Sequence, residues 1–150
     1  MNKFLIILTT INGFIFLILG LVWAISPYNA GANFGILVIP EGLGRSSLIG
    51  DIGSYFFCIG TMMILAAYTL KNIWFYAPAM LLGVTALFRI LSWGIHDATF
   101  ATQFIVIEIL LVILLLITSK RTSASKREKS LLFTNSCNLD FNNLIFWNQE

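Results

Sequence analysis

Apolar residues run through this chain in long blocks that do not alternate with polar ones, which argues against half-buried strands. Four blocks stand out, at residues 4–25, 47–70, 73–95 and 101–118. A helix needs roughly 20 apolar residues to cross a hydrocarbon core of about 30 Å. Backbone polar groups in lipid have to be satisfied within the segment, so blocks of this kind form helices. The pattern predicts an all-α fold, an integral membrane four-helix bundle over residues 1–119.

The first block follows Lys3 as a secretory signal would, but it is longer than the roughly 7–15 residues of a signal's apolar region. Its one Ala-x-Ser, Ala24 to Ser26, is followed at once by Pro27. It is read as a retained helix. Two connections are short: Lys71–Asn72, and the segment from His96 to Phe100. Short connections make the last three helices antiparallel neighbours. The longer segment 26–46 is rich in Gly and Pro, and its apolar piece at 34–40 is too short to span, so it lies in the interface or caps the bundle.

Composition agrees with this pattern. The 150 residues are 58% hydrophobic and only 11% charged, with a mean hydropathy of +0.88. A soluble domain carries about 25% charged residues. A formal charge of +2 is too small to imply a nucleic-acid partner. The two cysteines, Cys58 and Cys137, form neither a disulfide framework nor a metal-ligand spacing.

The distribution of charge says more than its sum. With the N-terminus inside, the inner side holds Lys3, Lys71, Lys120, Arg121, Lys126, Arg127 and Lys129, and the outer side only Arg45. Lysine and arginine favour the cytoplasmic side, so both termini are expected there. The tail at 120–150 is basic and Ser-rich, then Asn-rich. It is expected to be cytoplasmic and disordered, with its basic part near anionic headgroups.

Three charges interrupt the apolar blocks: Asp51, Arg89 and Glu108. Each costs about 2.5–3.5 kcal/mol on insertion scales, and such residues usually face the bundle interior. At 1.5 Å per residue all three fall roughly 6–11 Å below the outer ends of their helices. They are expected to form one buried layer. Thr85, Arg89, Ser92 and His96 recur at helical spacing, as do Ser47, Asp51, Ser54 and Cys58. Glu41, Arg45, His96 and Asp97 are expected to crowd an outer mouth above the layer.

The plain reading is structural, with Arg89 neutralising one carboxylate and fixing helix packing. The functional reading is a pocket that binds a polar or ionic ligand or passes a proton, since one arginine against two carboxylates leaves a negative charge in excess. His96 and Asp97 with Glu41 are read as a solvated turn and not as a metal site. Asn12 is expected to make an interhelical hydrogen bond. Trp23, Trp74 and Trp93 sit near helix ends, as in an aromatic belt. No catalytic set and no cofactor motif is found.

From Arg45 to Lys120 the chain resembles the small bacterial four-helix membrane proteins grouped as domain of unknown function 4345. Arg45 opens the second helix ahead of Gly50 and Gly60, Arg89 lies late in the third before Asp97, and Glu108 stands alone in the apolar last helix. Two positions depart from that pattern, Phe88 where a small residue is usual and Ile49–Gly50 in place of paired glycines. Asp51 is outside what the resemblance covers. The resemblance implies four helices, a bacterial inner membrane and a role for Arg89 and Glu108.

The leading functional expectation is a non-enzymatic accessory or self-associating membrane subunit, partnered by lipid and by a second copy or another membrane protein. The small-residue face of Gly50, Gly53 and Gly60 favours it, because small residues let helices approach closely in lipid. Two alternatives are a proton-linked transporter or channel component using the charged layer, and a membrane enzyme acting on lipid or quinone. The transporter would lack the internal repeats common in that class, and the enzyme would have only His96 with Asp97 or Glu41 to act through.

Overall fold

The computed structural model describes the backbone of residues 3–147 and the side chains of residues 3–125 and 127. Every regular element among them is helical: α1 (Lys3–Ile25), α2 (Pro27–Asn33), α3 (Leu43–Leu48), a π-helical turn (Ile49–Gly53), α4 (Ser54–Thr69), α5 (Asn72–His96) and α6 (Thr102–Trp147). The α3, π and α4 segments run on as one helix, Leu43–Thr69.

Four helices are long and apolar enough to cross a membrane: Lys3–Ile25, Leu43–Thr69, Asn72–His96 and Thr102–Ser125. The first three lie within four residues of the bounds read from the sequence. Only 22–28% of the most apolar stretch of each is buried inside the protein. Phe14, Ile18, Leu87, Ile109 and Leu110 all face outward. Soluble monomers rarely expose contiguous apolar surface on this scale.

The bundle is two tight pairs, α1 on α4 and α5 on α6, joined mainly by α4 against α5, while α1 and α6 touch lightly. The α1–α4 seam closes on glycine. A Cβ on Gly60 would stand 2.5 Å from the Leu17 backbone nitrogen and 2.6 Å from the Gly13 carbonyl oxygen. A Cβ on Gly20 would stand 2.6 Å from the backbone nitrogen of Phe57 and 2.8 Å from the carbonyl oxygen of Gly53. The small-residue face expected to serve self-association is therefore used within the chain at Gly53 and Gly60. Gly50 alone of the three meets nothing.

The main core joins Phe16, Ile59, Met63, Phe75, Leu82 and Leu115. A smaller core closes the end that carries α2 and the 97–101 connection, called here the loop end. There Trp23 is fully buried with Ala30 and Ile39, so it belongs to the core and not to an aromatic belt. The apolar piece at 34–40 caps the bundle: Phe34, Ile36 and Ile39 turn inward, while Leu37 and Val38 stay exposed.

The last helix does not stop near residue 118 but continues to Trp147, across the stretch read from the sequence as a disordered tail. Neither Gly nor Pro occurs after Gly94 to break it. Residues 148–150 of that tail lie outside the described residues.

Candidate ligand site around Arg89 and Glu108

The buried stripe of α5 runs Phe75, Pro78, Ala79, Leu82 and Ala86, and Arg89 is the next position on it. On α6 the buried positions include Ile105, Glu108, Leu111 and Leu115. Both charges therefore sit on core-facing stripes of two antiparallel helices that pack tightly. Arg89 is seven residues from the end of α5 and Glu108 six from the start of α6, so the connection sets them level.

They pair. Arg89 Nε donates to Glu108 Oε1 at 2.9 Å, with side chains 29% and 11% exposed. The guanidinium also lies over the Phe104 ring, 4.8 Å from its centre, a contact that attracts a cation to the ring face. Glu108 Oε2 is buried without a hydrogen-bond partner. Neither terminal nitrogen of Arg89 has a partner among the described residues. The pair is thus only half satisfied within the protein.

Polar groups from α4 and α5 extend it. The Tyr55 hydroxyl hydrogen-bonds that of Thr85, which donates to the Leu81 carbonyl at 2.9 Å. Thr85 lies four residues before Arg89, so one helical turn brings its hydroxyl beneath that charge.

Asp51 corrects the expectation of a buried triple layer. It lies in the π turn, is exposed, and forms no ion pair with Arg89 among the described residues. The π turn adds a residue to the helical repeat and shifts the phase of everything before it. The even stripe read through Ser47, Asp51, Ser54 and Cys58 does not survive this change of register. Asp51 still lines a cleft of about 400 Å³ with Arg89, Thr85, Tyr55, Phe56 and Phe34.

A second cavity of about 250 Å³ shares Phe34, Tyr55, Phe56, Thr85 and Arg89 with that cleft. It continues among Asn12, Leu19, Glu108 and Leu111. It lies where α1 and α6 touch lightly, flanked by the exposed side chains of Ile15 and Ile107. Arg89 stands in the wall common to both spaces. Phe34 roofs them, stacked on Phe104 with ring centres 5.5 Å apart and close to Phe56 at 5.3 Å.

The outer mouth is not assembled. Glu41, His96 and Asp97 are exposed, and Arg45 lies over the Tyr28 ring with its guanidinium 5.3 Å from the centre. No hydrogen bond or ion pair joins the four among the described residues. These residues sit on separate segments, with Arg45 already held by an aromatic face. Among the described side chains, no three His, Cys, Asp or Glu come together. Asn12 donates to the Leu8 carbonyl of its own helix at 2.8 Å instead of bridging helices.

Phe34, Tyr55 and Phe104 are the site residues that sequence reasoning missed. Thr85 stood on the Arg89 stripe, but nothing local marks its partner Tyr55, or Phe34. Compared with known proteins, the chain matches no family model, no curated protein and no solved structure.

Proposed function

We propose that the protein is a small integral membrane protein that crosses the bilayer four times and binds a small amphipathic molecule as a non-catalytic subunit. One observation carries this reading: the half-satisfied Arg89–Glu108 pair borders an apolar cavity between α1 and α6, flanked by the exposed side chains of Ile15 and Ile107. Sites for small molecules are mostly apolar hollows with a few convergent polar groups. A place between these two helices suits a molecule that arrives dissolved in the lipid. No nucleophile or acid–base pair is needed for such a role. The resemblance to domain of unknown function 4345, and with it a bacterial inner membrane, is kept as part of this proposal.

A cytoplasmic position for both termini is supported by the bias of lysine and arginine, with Lys3, Lys71, Lys120 and Arg121 on the inner side and only Arg45 on the outer. Single-cysteine variants of a Cys58→Ser, Cys137→Ser chain test this in intact cells. An impermeant maleimide is expected to label Asn33→Cys and to reach Ser125→Cys only after permeabilisation. Labelling of both from one side would refute the topology. Native mass spectrometry of protein purified in mild detergent tests the binding. A small amphiphile is expected on the wild type and absent from Ile15→Trp, which fills the cavity. Equal occupancy in the two would refute the site.

A second reading, a proton- or ion-linked transporter component, is favoured by the position of Arg89 between two cavities. Asp51 borders one of them and Glu108 the other.

A further inference from the structure

Taken together, the cleft and the cavity carry one cation, Arg89, and two carboxylates, Asp51 and Glu108. Arg89 is paired with Glu108, and Asp51 has no ion pair among the described residues. Other groups at the walls add acceptors. The Asn12 amide nitrogen is bonded to Leu8, and its oxygen has no hydrogen bond among the described residues. Glu108 Oε2 also lacks a donor.

The rest of the lining is aromatic and aliphatic, with Phe34, Phe56 and Tyr55 common to both spaces. Aromatic faces attract cations, and more strongly where water is excluded. An anionic amphiphile would find the terminal nitrogens of Arg89 but would be repelled by two carboxylates. A neutral one would gain nothing from the charge on Asp51.

We infer that the ligand is an amphipathic organic monocation, held with its charge between Asp51 and the shared aromatic wall and its apolar part in the cavity between α1 and α6. This deepens the binding reading above and rests on it. The charge belongs near Asp51 because Glu108 is already engaged by Arg89. The apolar part belongs in the smaller space, where Leu19, Leu111 and the two flanking isoleucines meet it.

The test uses three compact probes of similar aromatic character. They are tetraphenylphosphonium, a cation; tetraphenylborate, an anion; and triphenylphosphine oxide, which is neutral. Each is titrated by equilibrium dialysis into full-length protein in phosphatidylcholine nanodiscs, with empty nanodiscs as the blank. Tetraphenylphosphonium is expected to bind saturably at one site per chain, and the borate not to. Asp51→Asn is expected to weaken the cation about tenfold or more, as loss of one charge at close range in a partly exposed cleft would. Because Asp51 is exposed, this variant leaves the packing intact. Ile15→Trp is expected to abolish binding of the cation.

Saturable binding of the oxide as tight as that of the cation, or no effect of Asp51→Asn, would overturn the assignment of charge while leaving an amphiphile site in place. Preference for the borate would overturn it in the same way. No saturable binding of any probe would overturn both this inference and the reading beneath it.

Discussion

Replacing Gly60 by alanine tests the seam on which the bundle is built. The new Cβ would stand 2.5 Å from the Leu17 nitrogen and 2.6 Å from the Gly13 oxygen, both backbone atoms of α1. Ordinary contact begins near 3.4 Å, so α1 and α4 have to part by about 0.9 Å along that line. No side chain can rotate out of the way. Overpacking typically costs about 1–3 kcal/mol, and a clash with rigid backbone belongs at the upper end. Alanine returns up to about 1 kcal/mol of helix preference over glycine. The net expectation is a loss of about 2 kcal/mol.

Gly83→Ala is the matched control. It lies inside α5, and its Cβ would meet only Val112 Cγ2 at 3.9 Å. Ordinary packing plus helix preference predicts no loss and a gain of up to about 1 kcal/mol. The two variants make the same chemical change with opposite expected signs. Unfolding by SDS titration in mixed micelles, followed by tryptophan fluorescence, measures both. Fully buried Trp23 packs beside Gly53 on the same seam and reports its opening. If Gly60→Ala falls within about 0.5 kcal/mol of Gly83→Ala, the glycine seam is not what holds α1 to α4.

Two further outcomes follow from the polar site. Glu108→Leu leaves Arg89 unpaired and is expected to cost about 3 kcal/mol in the same titration, whereas Glu108→Leu with Arg89→Met should recover most of that loss; a double variant as unstable as the single one would contradict it. Tyr55→Phe removes the hydroxyl bonded to Thr85 and is expected to cost about 0.5–1 kcal/mol, with a change above about 2 kcal/mol pointing to a larger network.

The four apolar helices were legible because their length and composition are the ones that crossing a bilayer requires. Arg89 and Glu108 were legible for a related reason: charges at matching depth on neighbouring antiparallel helices have few places to go but together. What the sequence left hidden lies in departures from the ideal helix and in contacts between distant segments. The π turn at Ile49–Gly53 is one example. A single extra residue in the repeat turned Asp51 from the expected interior to an exposed cleft, and no side chain announces it. Phe34 is another, since its partners Trp23, Phe56 and Phe104 come from three helices. Asn12 misled because in an apolar helix its amide found a carbonyl one turn back in its own chain.

The position of the ion pair gives the strongest reason to look for a ligand. Replacing a buried ion pair by apolar side chains of similar size is often neutral or stabilising. Packing between α5 and α6 alone therefore does not call for Arg89 and Glu108, since Leu82, Leu111 and Leu115 already close that seam further along. A purely structural pair would also be satisfied within the protein. Here one carboxylate oxygen and the terminal nitrogens of Arg89 lack partners among the described residues, beside a space large enough to admit a molecule. Stability accounts for the apolar part of the seam but not for a charged pair set in the wall of a cavity.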